Sequence, residues 1–120
     1  MSSGRSRDGD EAAAGWTFFS NHTHVLVCLA RDPDVRLRDV AEMVGITERS
    51  AVKIVSELEA AGVVTRSRVG RRNHYEIDTT VTLRHPLEAN RTVGSILEMV
   101  LEPDEMARIG LTPAAASADG

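Results

Sequence analysis

Hydroxyl and cationic side chains are close together near the middle of the chain, over residues 47–53, and two adjacent arginines, Arg71 and Arg72, follow further along. Cations, hydroxyls and amides hydrogen-bond phosphate oxygens and the edges of bases. Both stretches are therefore candidates for contact with double-stranded DNA. The full set of candidate DNA-binding residues is Arg38, Thr47, Glu48, Arg49, Ser50, Lys53, Arg66, Arg68, Arg71, Arg72, Asn73 and His74.

These groups also have interpretations that need no nucleic acid. A mixed polar stretch such as residues 47–53 is equally typical of a solvated helix face. Adjacent arginines beside a glycine can form a hairpin tip that blocks edge-to-edge aggregation. Arg66 and Arg68 can pair with Glu76 across such a hairpin, and His74 can be a spectator. The DNA interpretation therefore depends on the elements that hold the two groups side by side.

Two short helices joined by a tight turn are predicted around the first group. Apolar residues at helical spacing indicate a helix over residues 38–44, and Gly45 is its expected C-terminal stop. Thr47 is a suitable N-cap for the next helix, over residues 48–61, with Glu48 at the positive end of its dipole. Such a pair forms a helix-turn-helix, whose second helix enters the major groove of DNA.

A β-hairpin is predicted directly after the second of these helices. Side chains alternate over residues 63–69, with Arg66 and Arg68 on one side, and again over residues 74–78, with Tyr75 and Ile77 facing inward. Residues 70–73 are the expected turn, with Gly70 and Asn73 where a positive φ is needed. The adjacent arginines of this turn then reach phosphates or the neighbouring minor groove.

Further elements flank this unit. Residues 16–31 predict a first helix, with Asn21 or Thr23 as its cap and an Asp-Pro-Asp segment ending it. Residues 35–37 are expected to be a very short strand. A last helix is predicted over residues 92–101, with Pro103 stopping it.

The apolar stripe of the last helix has two interpretations. It can cover the core of its own domain, or it can pair with the same helix of a second copy, which we favour because three helices and a hairpin already make a core. The candidate dimerisation residues are Trp16, Phe18, Val93, Ile96, Leu97, Val100 and Leu101.

The motifs of the two helices and the hairpin resemble those of a known family. The Val40-Ala41 pair, Gly45 and Ile54 follow the helix-turn-helix signature, and the run from residue 58 to residue 75 resembles winged-helix bacterial and archaeal regulators of the MarR and ArsR kind. Ala51 departs from the pattern, which more often has Val or Ile. The resemblance implies an α+β, mainly α, winged helix-turn-helix fold with a C-terminal dimerisation helix. It also implies a homodimeric transcription regulator on a palindromic operator.

The domain organisation follows from these elements. Residues 1–15 and 111–120 are expected to be disordered tails because they contain too little apolar side chain to offset ordering entropy. Residues 16–85 are the expected DNA-binding domain and residues 86–110 the C-terminal helical dimerisation segment. The simplest expected function is repression by occluding a promoter, and the alternative is a winged helix used only as a protein-interaction module.

Other kinds of site receive little support from the sequence. Cys28 is the one cysteine, and its apolar neighbours indicate a small buried hydrophobe. His22 and His24 are two apart and do not share a helix face, whereas His85 and Glu88 have helical spacing with a proline between them. No metal, cofactor, catalytic group or small-molecule effector is therefore assigned. With no apolar run of about 18 residues, a cytoplasmic, nucleoid-associated location is expected.

The net charge of −4 hides an uneven distribution. Taken alone, an acidic balance argues against a nucleic-acid partner. Residues 49–74, however, contain six basic and two acidic side chains, for a net charge of +4. Residues 86–120 contain two basic and six acidic ones, for −4. We therefore expect a basic DNA-facing surface, an acidic far side, and binding that is sensitive to salt.

Overall fold

Five α-helices and a two-stranded hairpin form the part of the chain that the computed structural model describes, residues 16–110. The tails predicted at residues 1–15 and 111–120 lie outside the described residues. In chain order the elements are α1 (Asn21–Arg31), α2 (Leu37–Val44), α3 (Glu48–Ala60), β1 (Val64–Val69), β2 (Arg72–Ile77), a 3-10 helix (Pro86–Glu88), α4 (Val93–Val100) and α5 (Pro103–Arg108). No helix among residues 16–110 is long and apolar enough to cross a lipid bilayer.

Helix α1 lies at the centre of the core because its apolar residues occupy most of its circumference. Val25 and Leu29 have no exposed surface. The helix begins after Ser20, whose side-chain oxygen accepts a hydrogen bond from the backbone N–H of Thr23 at 3.5 Å. The cap predicted at Asn21 or Thr23 is therefore wrong, because a serine just outside the apolar run satisfies the orphan N–H first.

The short strand predicted at residues 35–37 is also wrong. The backbone N–H of Val35 donates to the Asp32 carbonyl at 3.1 Å, which closes a turn directly after α1. Val35 is buried, Arg36 is the N-cap of α2, and Leu37 is its first residue. Val35 therefore packs against the core from a turn, and Leu37 packs against it from a helix.

The turn between α2 and α3 has the predicted form. Gly45 has a φ of +89°, a left-handed conformation that side chains rarely adopt, and its N–H donates to the Ala41 carbonyl at 2.8 Å. Thr47 then caps α3, since its hydroxyl oxygen accepts from the Ser50 backbone N–H at 3.0 Å. Both predictions are confirmed, and Ile46 between them packs against the core.

Strands β1 and β2 form an antiparallel hairpin with six residue pairs, from Val64 opposite Ile77 to Val69 opposite Arg72. The turn is therefore only Gly70 and Arg71, and a positive φ at Gly70 alone, +64°, is typical of a type II′ turn. Arg72 and Asn73 were predicted in the turn and instead belong to β2.

The base of the hairpin is tied to the helices. Tyr75 is 2% exposed, as predicted, and its backbone N–H donates to the Pro33 carbonyl at 2.8 Å. Val64, near the same end of the hairpin, is also buried, and the Asp78 N–H donates to the Val63 carbonyl at 2.8 Å. The hairpin thus leaves the core as an arm with one end fixed.

The C-terminal segment shares the core of the preceding helices. Thr92 and Ser95 form a capping box that starts α4. Pro103 does not only end a helix, as predicted, but is the first residue of α5, a position that suits proline because it needs no N–H donor. Val93, Leu97 and Leu101 belong to the core cluster of the single chain and are at most 5% exposed.

This burial corrects the predicted dimerisation surface. Val93, Leu97 and Leu101 cover the core of their own chain, because the first three helices leave α1 uncovered on that side. This is the interpretation of the apolar stripe that was not favoured from the sequence. Ile96 and Val100 are only partly buried, and Met99 is 76% exposed. The exposed apolar surface of α4 therefore centres on Met99, which was not predicted.

Candidate nucleic-acid interface

The outward face of α3 carries the first group of predicted DNA-binding residues. The hydroxyl of Thr47 caps the helix and donates to Ser50 Oγ at 2.9 Å, so both hydroxyls are fixed in the first turn. Arg49 and Lys53 are exposed, and neither has a carboxylate within ion-pair distance among residues 16–110. Glu48 is exposed in the same turn. The start of α3 therefore presents hydroxyls and two cations at the position from which such helices contact bases.

One residue of this face was not predicted from the sequence. Val52 is 45% exposed, although Ala51, Ile54 and Val55 on the same helix are buried. An exposed apolar side chain among polar ones can contact the methyl group of thymine in the major groove. The available signal was that Val52 falls outside the apolar period of the helix.

The tip of the hairpin carries the second predicted group. Arg71 occupies the second position of the turn and is exposed, and Arg68 is exposed opposite Asn73. Within the described part of the chain, neither arginine has an acidic partner. Both cations are therefore available to phosphates.

A groove lies between the hairpin and the start of α3 and has a volume of about 540 Å³. Its basic lining residues are Arg36, Arg66, Arg71 and Arg72, and its acidic ones are Asp34 and Glu48. Arg36 was not predicted from the sequence, whose patterns pointed to Arg38 instead. The signal that could have found Arg36 is its position as the N-cap of α2 beside the turn that supports the hairpin; Arg38 does not line the groove.

Three of the predicted residues are engaged within the protein. Arg66 Nε lies 3.4 Å from Glu59 Oε2 on α3, not beside Glu76 as the hairpin alternative predicted, because Thr65 is the residue opposite Glu76. Arg72 Nη1 donates to the Asp34 carbonyl at 3.2 Å. His74 Nδ1 donates to Asp34 Oδ1 at 2.8 Å, which ties β2 to the loop after α1.

A hydrogen bond joins the start of α1 to the outward face of α3. His22 Nε2 lies 2.7 Å from Glu57 Oε1 on α3. Both residues line a smaller groove with Ser50 and Lys53, on the side of α3 that meets the start of α1. The exposed face of α3 is therefore bordered by the hairpin on one side and by the start of α1 on the other.

Cys28, on α1, is a free cysteine. It is partly buried, and burial raises the pKa of its thiol while the nearby Arg31 opposes that shift. Among the described residues no cluster of three His, Cys, Asp or Glu side chains is arranged to hold a metal ion.

A helix-turn-helix followed by a hairpin wing that flanks the second helix defines the winged helix-turn-helix fold. Residues 20–65 match the family model described as winged helix-turn-helix DNA-binding. The fold of this part of the chain is therefore a winged helix-turn-helix, as the sequence resemblance predicted.

Similar proteins are also found among solved structures. The chain is similar to a MarR family protein of Mycobacterium tuberculosis in complex with salicylic acid, with 20% sequence identity, 90% of this chain and 77% of that chain covered, and a TM-score of 0.45. No curated protein matches the sequence.

Proposed function

We propose that this chain is a transcription regulator that binds double-stranded DNA as a homodimer and represses by occluding a promoter. The observation that carries the proposal is the arrangement of Arg49 and Lys53 on the capped start of α3, with Arg71 exposed at the tip of the neighbouring hairpin. In a winged helix-turn-helix domain, these positions meet the major groove and the flanking backbone. The DNA-binding family model supports a regulator rather than an enzyme, and such a regulator acts in the cytoplasm on nucleoid DNA.

In this proposal, the predicted residues have separate roles. Thr47, Ser50 and Val52 contact base edges together with Arg49 and Lys53, whereas Arg68 and Arg71 contact phosphates. Glu48 is available to accept from a cytosine amino group. Arg38, Arg66, Arg72, Asn73 and His74 are placed in the supporting set, because they lie away from the helix face or are engaged inside the protein.

A second copy is the proposed partner at an apolar surface around a separate groove. This groove, about 470 Å³, is lined by Phe19, Met43 and Val100, among others. Phe18 and Met99, the chain neighbours of two of these residues, are 89% and 76% exposed. A homodimer that binds two half-sites of a palindromic site needs its two copies of α3 about 34 Å apart.

The dimer is tested by sedimentation velocity of the full chain and its Met99→Glu variant. We expect a dimer for the unmodified chain and a monomer for Met99→Glu, since a charge is costly to bury in an apolar interface. Glu98→Ala on the same helix is the control and should remain dimeric. A monomeric unmodified chain at the concentrations used for DNA binding would contradict the homodimer.

DNA binding is tested by selecting bound duplexes from a random pool with the full chain and then measuring gel shifts. The Arg71→Ala/Arg72→Ala double variant should bind the selected duplex more weakly, because Arg71 is an exposed cation of the turn and Arg72 ties β2 to the Asp34 carbonyl. Arg84→Ala/Arg91→Ala removes the same charge from the loop before α4 and should bind nearly normally. If no duplex is enriched, the chain is a protein-interaction module rather than a DNA-binding regulator.

A further inference from the structure

Three hydrogen bonds join β2 to the turn that follows α1, at residues 32–34. His74 Nδ1 donates to the carboxylate of Asp34 at 2.8 Å, and Arg72 Nη1 donates to the Asp34 carbonyl at 3.2 Å. The backbone N–H of Tyr75 donates to the Pro33 carbonyl at 2.8 Å. Three residues of β2 are thus held by one short segment, which we call the 32–34 turn.

The 32–34 turn is held by hydrogen bonds of its own. The backbone N–H of Asp34 donates to Asp32 Oδ1 at 3.1 Å, which fixes the turn from within. Pro33 has a restricted φ and needs no N–H partner. The Val35 N–H closes the turn onto the Asp32 carbonyl at 3.1 Å, and Val35 is buried. A support built in this way transmits the position of α1 and α2 to the hairpin.

The charge of Asp34 is unexpected for this location. Asp34 lines the groove between the hairpin and α3, where Arg36, Arg71 and Arg72 also lie. A carboxylate in that groove repels a DNA phosphate, and the side chain of Asp34 is 53% exposed. Electrostatics alone therefore predicts that removing this carboxylate strengthens DNA binding.

We propose that Asp34 is a positioning residue for DNA binding, which holds the hairpin so that Arg71 meets the phosphate backbone. The inference rests on the proposed function. Without the hydrogen bond from His74 to Asp34, the hairpin has more conformations to lose on binding, and that entropy cost reduces affinity. Positioning opposes the electrostatic effect, so the two interpretations of Asp34 predict changes of opposite sign.

The test compares Asp34→Ala with Asp34→Asn and with Glu42→Gln, by fluorescence anisotropy on the duplex selected with the unmodified chain. Glu42→Gln is the charge control, because Glu42 is an exposed carboxylate of α2 that does not line the groove and has no proposed contact with DNA. We expect Asp34→Ala to weaken binding about threefold to tenfold, within the range that a typical hydrogen bond supplies. Asp34→Asn keeps an oxygen that accepts from the His74 N–H and should retain most of the affinity. Glu42→Gln should bind at least as tightly as the unmodified chain.

A second measurement separates positioning from a loss of folding. The slope of log affinity against log salt should decrease by about 0.9 for each phosphate that the protein no longer neutralises, so Asp34→Ala should lower it by roughly one. His74→Ala removes the same hydrogen bond from the other side and should lower affinity similarly. The double variant should then lose no more affinity than either single one, because both changes break one interaction.

Opposite results overturn the inference while leaving the proposed function intact. Tighter or unchanged binding by Asp34→Ala, with an unchanged salt slope, would show that Asp34 does not position the hairpin. Additive losses in the Asp34→Ala/His74→Ala double variant would show that the two residues act independently. Absence of a duplex that the unmodified chain binds would reject both this inference and the proposed function.

Discussion

Glu59, near the end of α3, holds Arg66, near the start of the hairpin, with Glu59 Oε2 3.4 Å from Arg66 Nε. The pair joins the two elements that face DNA in the proposed function. Because the side chain of Glu59 is only 27% exposed, the guanidinium of Arg66 that pairs with it lies against α3 and does not extend freely into solvent. The cation therefore contributes to the shape of the groove more than to its available positive charge.

This relationship predicts different effects for two arginines of the same hairpin. Arg71→Ala should weaken DNA binding by roughly tenfold and lower the salt slope by about one, because it removes an unpaired cation from the tip. Arg66→Ala should weaken binding less and change the slope little, because its charge is already compensated by Glu59. Anisotropy titrations at several salt concentrations measure both quantities. Equal effects of the two substitutions would show that Arg66 leaves Glu59 to contact DNA.

The N-cap of α3 should contribute measurably to stability. Thr47→Ala removes the acceptor of the Ser50 backbone N–H, and the free energy of unfolding should fall by about 1 kcal/mol. Thr47→Ser keeps the hydroxyl and serves as the matched control. Urea denaturation followed by circular dichroism gives both values. A Thr47→Ala variant as stable as Thr47→Ser would mean that solvent caps the helix equally well.

The burial of α4 predicts where a substitution is most damaging. Leu97 has no exposed surface, and Leu97→Ala should lower the free energy of unfolding by about 2–5 kcal/mol because it leaves a cavity. Met99→Ala, two positions along the same helix, should change it by less than about 0.5 kcal/mol in the monomer. Thermal and urea unfolding at low protein concentration measure the difference. A small effect of Leu97→Ala would place α4 outside the core.

The segment after the hairpin contains a carboxyl group whose titration is set by one threonine. Asp78 Oδ1 accepts from the Thr80 hydroxyl at 2.5 Å and from its backbone N–H at 2.9 Å, and these hydrogen bonds, the hydroxyl first, lower the pKa of Asp78. Because the pKa is lower in the folded state, the ionised carboxylate stabilises the fold above the ordinary aspartate pKa of about 3.9. That stability is lost as pH falls through the lower, folded pKa.

Thr80→Val should therefore raise the pKa of Asp78 toward its ordinary value. The variant should be less stable than the unmodified chain at neutral pH, and this difference in stability should become smaller at strongly acidic pH. Carbon NMR of the Asp78 carboxyl group follows the titration directly. Thr82→Val in the same segment is the control and should leave the Asp78 midpoint unchanged. An unchanged midpoint in Thr80→Val would mean that the hydroxyl does not stabilise the carboxylate.

The helix-turn-helix was predictable from the sequence because each of its signals is local. Gly45 and Thr47 are adjacent to the apolar periods that they terminate and begin, so the positive φ and the N-cap follow from residue type. The inward orientation of Tyr75 follows from alternation in the same way. These features do not depend on how distant parts of the chain pack.

The remaining features depend on distant contacts. Whether Arg66 pairs with Glu59 or Glu76 is decided by the hairpin register and by the approach of α3, and neither is visible in the alternation of β1. Arg36 joins the groove only because the 32–34 turn meets β2 across the fold. In the sequence, the apolar stripe of α4 is equally compatible with a place in the core and with a dimer interface. Leu97 is buried because it packs on an apolar side of α1 that only the tertiary structure reveals.

In the proposed function, α3 reads bases while the hairpin holds phosphates. Its most direct test is the affinity of the unmodified chain, Arg49→Ala and Arg71→Ala for the selected duplex and for a scrambled one of equal length. We predict that Arg49→Ala reduces the preference for the selected duplex, costing about 1–3 kcal/mol there, whereas Arg71→Ala weakens both duplexes by the same factor. Equal affinity of the unmodified chain for the two duplexes, or an equal loss from Arg49→Ala on both, would show that α3 does not read bases.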